Sequence, residues 1–223
     1  VMTTDHLRAF VEDPVVMARI ATVHALGDIW AMGAAPQAAT VSLTLPRMSE
    51  ALAQRTLTEI LTAASEILRD TGAEIVGGHS SMGDEMTIGL TLTGLCERPP
   101  ITLSGAQIGD DLVLTKPLGS GVLMAAEMQG AARGAWVAAA LASMTRPQGD
   151  AAAILQDAHA MTDVTGFGLA GHLHGICMSS GVSAALTLDA IPLLPGALEL
   201  SAQGIRSTLY PKNRDAVPGL TLE

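Results

Sequence analysis

Between residues 39 and 97 the spacing of apolar side chains switches from strand-like to helix-like and back. "ATVSLTLP" alternates as a half-buried strand does, while "SEALAQRTLTEILTAASEILRDTG" carries the stripe of an amphipathic helix that ends at Gly72. "AEIVGGHSS" then reads as a short strand running into a glycine turn, and "EMTIGLTLTGLCE" as a long Val/Ile/Thr-type strand. Upstream, "EDPVVMARIATVHALGDIWAMGAAP" predicts a helix with Asp13 as N-cap and Pro14 at its first position, closed by Gly33 and Pro36. Its apolar stripe is Ile20, Val23, Ala25, Leu26 and Ile29. Elements that alternate in this way call for layered α/β or α+β architecture.

The paired prolines and turn glycines of "RPPITLSGAQIGD" mark a boundary, dividing the chain into lobes of residues 1–100 and 101–223. Beyond it come a strand, a glycine turn and a helix in "DLVLTKPLGSGVLMAAEMQG", then Ala-rich helices over 135–157. A strand, "VSAALTLDAIP", and a helix, "PGALELSAQG", follow. "VMTTD" opens as if in mid-strand and "NRDAVPGLTLE" ends without a finished element, so a fragment of a longer protein is expected.

Hydrophobic residues make up 48% of the 223 residues but aromatics only 2%, so the core must be built from Ala, Leu, Ile, Val and Met. Twelve basic residues against 22 acidic ones leave a net charge of −10 and no basic patch for a nucleic-acid duplex. Metal ions and backbone N–H groups could still attract a phosphate compound. Cys96 and Cys177 form no CxxC pair, and no apolar run reaches the roughly 18 residues of a membrane span. The expected compartment is the reducing cytoplasm.

Five places carry candidate chemistry. Asp5 follows a strand-like start, where it could ligate Mg²⁺ or serve as a turn or N-cap residue. Asp28 interrupts an apolar helix face; buried without a cation it would cost several kcal/mol, which a metal would remove unless that face is exposed. Gly77, Gly78, His79 and Ser80 could form a nest of backbone donors for an anion, or a plain hairpin connection. Lys116 precedes a glycine turn that opens a helix, which suits an anion seat or a surface lysine. In "MTDVTGFGLAGHLHG", His172 and His174 point roughly 200° apart on a helix and cannot chelate one metal. His172 reads as a satisfied interior histidine and His174 as a surface one. Asp163 sits on the glycine-rich entry to that helix, where a carboxylate and free N–H groups suit a metal–phosphate complex better than a bare anion.

"GDIWAMGAAP", "GGHS", "LTKPLGSGV" and "MTDVTGFGLAGHL" occur here in an order and spacing that resemble the selenophosphate synthetase (selenide, water dikinase) family. That family lies in the ATP-binding superfamily that includes aminoimidazole ribonucleotide synthetase. The resemblance implies an N-terminal lobe whose mixed or antiparallel sheet joins a second copy in a dimeric barrel with helices outside, followed by an α+β lobe. It implies ATP and Mg²⁺, and phosphorylation of selenide to selenophosphate with release of AMP and phosphate. Asp5, Asp28 and Asp163 match the family's metal-binding aspartates, Gly77 to Ser80 its nucleotide-contacting turn, and Lys116 the lysine of its TKPLG motif.

The family's N-terminal glycine-rich segment with its catalytic Cys and Lys is absent from this chain, as are the aspartate before "TTD" and the C-terminal glycine-rich motif. His24 stands where the family carries Asn. No catalytic residue is therefore assigned here, and the isolated chain is expected to be inactive. Some members are fused to an NADH-dehydrogenase-like domain. The competing readings are another ATP-dependent kinase or synthetase of the superfamily, or a degenerate nucleotide-binding and dimerisation module.

Overall fold

The computed structural model describes residues 1–217. In its first part β1 (Met2–Arg8), α1 (Pro14–Ala31), β2 (Ala35–Pro46), α2 (Glu50–Asp70), β3 (Glu74–Gly83) and β4 (Thr87–Leu95) follow one another. The Asp13 carboxylate accepts from the amides of Val15 and Val16 at 2.8 and 3.0 Å, satisfying two of the donors that every helix start leaves open. Gly33, at φ 66°, ends α1 with its amide on the Trp30 carbonyl. All five stripe residues of α1 are buried, with Leu26 and Ala25 wholly inaccessible.

The strands form one mixed sheet in the order β1-β4-β2-β3. β4 runs antiparallel to both its neighbours, and β3 runs parallel to β2 after the crossover through α2. Two helices cover one face of the sheet, and Val41, Leu43, Leu45, Ile88, Leu90 and Leu92 meet Met17, Leu26 and Ile29 in the core. Each such aliphatic side chain contributes about 1.5–3 kcal/mol by burial. At Gly94 the helix comes so close that an added Cβ would lie 2.6 Å from Ile29 Cγ2.

Gly77 to Ser80 depart from the sequence reading. They lie inside β3, in register with Thr40 to Leu43, and form neither a turn nor a nest. β2 separates β3 from β4, so no hairpin joins the pair either. Paired glycines resemble turn material, but here backbone approach requires one of them: a Cβ on Gly78 would sit 2.1 Å from the Val41 carbonyl oxygen. Asp5 likewise is neither a turn nor an N-cap residue. It sits in mid-strand opposite Leu90.

The chain forms two compact units, Val1–Pro100 with Met144–Gln156, and Ile101–Ser143 with the chain from Asp157 onward. The returning segment brings α5 (Gly149–Ile154) back against Trp30. The second unit contains α3 (Ser120–Met128), α4 (from Gly134), α6 (Gly168–Ser180), a 3₁₀ turn at Leu188–Ala190, α7 (Ala197–Ala202) and α8 (Tyr210–Asp215). The strands expected over 111–115 and 182–192 do not form; among the described residues only an isolated bridge between Leu118 and Leu193 links their neighbourhoods. In 182–192 local bonds take the place of a ladder, as where the Ala190 amide donates to the Thr187 carbonyl, and in 111–115 Leu112 and Val113 are exposed. Among the described residues no helix is long and apolar enough to cross a membrane.

Candidate metal and nucleotide site

Alternation along β1 turns Thr3, Asp5 and Leu7 toward α1 and leaves Met2, Thr4, His6 and Arg8 facing outward. On α1, His24 and Asp28 lie one turn apart and face that strand. The Thr3 hydroxyl donates to Asp28 Oδ2, and His24 Nε2 stands 3.6 Å from Asp5 Oδ1. Asp28 is within hydrogen-bonding reach of Asp5. Burial pushes the Asp5 carboxyl above its ordinary value; nearby His24 works against this, and Asp28 adds to it. Two carboxylates held together, half out of water, form an all-oxygen donor pair that a hard cation would relieve. Mg²⁺ is usually held by one or two carboxylates plus substrate phosphates, so this pair fits that ion.

Among the described residues no set of three or more His, Cys, Asp or Glu side chains could hold a metal ion. The pairing of Asp5 with Asp28 is thus the part of the predicted aspartate set that the fold brings together. Asp163 belongs to the second unit. His79 and Ser80 line the exposed edge strand β3 in the first unit.

Lys116 precedes Gly119, whose φ of 120° turns the backbone into α3. Its ammonium donates to the Ser143 carbonyl at 2.7 Å, beside the C-terminal end of α4, where a cation complements the helix dipole. Asp163 lies in the irregular segment before α6, and the threonines around it are tied to His172. The Thr165 amide donates to His172 Nε2 at 3.1 Å, and Thr162 Oγ1 lies 3.3 Å from His172 Nδ1. The Thr162 hydroxyl in turn donates to the Asp163 carbonyl at 3.0 Å. His174, expected on the surface, is half-buried.

Profiles of two known domains match this chain. The AIR synthase related protein N-terminal domain covers residues 1–96, and the AIR synthase related protein C-terminal domain covers residues 107–205. The chain belongs to the AIR synthase related family. It is 39% identical to a selenide, water dikinase of Nitratidesulfovibrio vulgaris, over 92% of this chain and 59% of that protein. Against its counterpart from Aeromonas hydrophila the identity is 40%, over 87% of this chain and 56% of that protein. The chain therefore spans less than two thirds of the length of these relatives.

Solved structures of this fold include thiamine-monophosphate kinase from Stenotrophomonas maltophilia, with a TM-score of 0.76 at 22% identity over 97% of this chain and 70% of that one. Hydrogenase maturation protein HypE in complex with ATP aligns with a TM-score of 0.71 at 20% identity, over 92% of this chain and 64% of that one. Both agree with the mixed sheet and flanking helices of an α+β protein.

Within this family member, sequence reasoning missed the side chains that approach Asp5 and Asp28 and those that tie the loop carrying Asp163. The period-two alternation of "TTDHL" does place Thr3 beside Asp5, and the one-turn spacing does place His24 beside Asp28. That His24 approaches Asp5 on another element is a tertiary fact with no local signal, and that His172 serves both Thr162 and Thr165 depends on how the segment before α6 folds back onto that helix.

Proposed function

We propose that this chain is the metal- and nucleotide-binding part of an ATP-dependent phosphotransferase that converts selenide to selenophosphate and releases AMP and phosphate. The observation that carries the reading is the meeting of Asp5 and Asp28 across β1 and α1, in a chain similar over most of its length to selenide, water dikinases. Mg²⁺ would neutralise the charge on the transferred phosphoryl oxygens. Asp5, Asp28 and Asp163 are assigned to that ion, and the meeting of Asp5 with Asp28 supports the assignment. Gly77, Gly78, His79, Ser80 and Lys116 are assigned to the nucleotide. Such cations would favour the approach of ATP to a protein whose net charge is −10. The working protein is a cytoplasmic homodimer whose sheets join in a barrel, and a fused NADH-dehydrogenase-like domain is one form its remaining length can take.

The test is a product assay with ATP, Mg²⁺ and selenide. The protein containing the Cys/Lys segment of the family releases AMP and phosphate, whereas the present 223 residues alone release neither. Robust turnover by these residues alone would sink the division of labour. ADP as the product would instead favour a single-phosphoryl kinase of the superfamily. Mg²⁺-independent dimerisation without ATP binding would mark a degenerate module.

A further inference from the structure

His172 lies on α6, yet its imidazole reaches back across the start of that helix and spends both ring nitrogens on the loop carrying Asp163. The Thr165 amide can only donate, so His172 Nε2, 3.1 Å away, accepts and bears no proton. The Thr165 hydroxyl also lies 3.1 Å from that nitrogen. In the neutral ring the proton is then on Nδ1, which donates to Thr162 Oγ1 at 3.3 Å. The Thr162 hydroxyl passes its own hydrogen to the Asp163 carbonyl at 3.0 Å. A chain of donors thus runs from His172 through Thr162 to the backbone of Asp163, while a second tie holds Thr165 two residues further on. The Phe167 ring stands 6.0 Å from the imidazole, tilted by 56° against it.

We infer that His172 is a positioning residue: in one tautomer it clamps the loop on both sides of Asp163 and sets the direction of that carboxylate. Its consequence for the metal rests on the function proposed above, whereas the clamp itself does not. A side chain that merely filled space could be replaced by one of like shape; this one requires an acceptor and a donor at fixed positions. Groups that orient a metal ligand typically change metal affinity by about 10–100-fold when removed.

Two measurements on the protein test this. In ¹⁵N spectra the His172 ring shows a protonated Nδ1 and a bare Nε2, and the Thr165 amide exchanges slowly. His172→Phe keeps a planar aromatic ring but offers that amide no acceptor. The opposite tautomer, or unchanged Thr165 exchange in His172→Phe, overturns the clamp whatever the protein binds. The second measurement is calorimetric titration with Mn²⁺ and the ATP analogue AMPPCP. His172→Phe is expected to bind at least about tenfold more weakly at unchanged melting temperature. His172→Gln, whose amide oxygen can take the Thr165 N–H, should recover part of the loss.

Binding by His172→Phe equal to wild type overturns the positioning role. If wild type binds no Mn²⁺–AMPPCP while the tautomer and the protected amide are observed, the proposed function fails and the clamp stands. Should His172→Phe fail to fold, Thr162→Val removes only the middle hydroxyl. It is read in the same titration with the same two outcomes.

Discussion

Asp5 shows what a proposed metal ligand costs its fold. Its carboxyl takes a proton more readily in the folded chain than at its ordinary value of 3.8, because burial and Asp28 disfavour the charge. The ionised form at neutral pH therefore destabilises the fold, and stability rises as pH falls through the raised value toward 3.8. Asp5→Asn should raise the calorimetric melting temperature at neutral pH and flatten this acid-side rise, while weakening Mg²⁺-dependent nucleotide binding. A lower melting temperature in the variant would show that ionised Asp5 stabilises the fold.

Asp110 behaves in the opposite sense. The Gln107 amide and His159 hold its carboxyl below 3.8. Its contribution is complete above that value and lost as pH falls through the lowered one. Acid titration of Asp110→Asn followed by circular dichroism should lose that component, and a profile identical to wild type would refute it.

At the scale of elements, β3 is the informative one. Ten residues long and exposed along almost its whole length, it pairs with β2 on one side only among the described residues. Gly78→Ala should push β3 from β2 and cost about 1–3 kcal/mol, as overpacking does, which urea unfolding would measure. A cost below about 0.5 kcal/mol would mean that the close approach to Val41 relaxes freely. The glycine pair was visible as a sequence feature, but its meaning was inverted. A turn and a crowded strand both require a residue without a Cβ, and only the neighbouring backbone tells them apart. The segments 111–115 and 182–192 failed in the opposite direction, since a period-two pattern states a preference that a missing partner leaves unmet.

For the whole molecule, the face of the sheet turned away from α1 and α2 carries Thr4, Thr40, Ser42 and Thr91, with Thr4 and Thr91 hydroxyls 2.9 Å apart. Together with the open β3 edge it supports the proposed barrel between two copies, because an edge strand offers a row of unmet backbone donors and acceptors. Met82→Lys, at an exposed position of β3, should shift sedimentation toward monomer with little change in melting. An unaltered dimer would place the interface elsewhere.

Periodicity and capping chemistry were enough to read α1, α2, β2 and β4, since those signals are local and each element's burial follows its own stripe. The motifs also named the aspartates and glycines worth watching. Only the tertiary structure decided that Asp5 and Asp28 meet, that Gly77 to Ser80 form an edge strand, that residues 144–156 rejoin the first unit, and that His172 grips two threonines. The first three depend on groups brought together across distant parts of the chain, and the last on how the segment before α6 folds back onto that helix, which neither propensity nor spacing specifies.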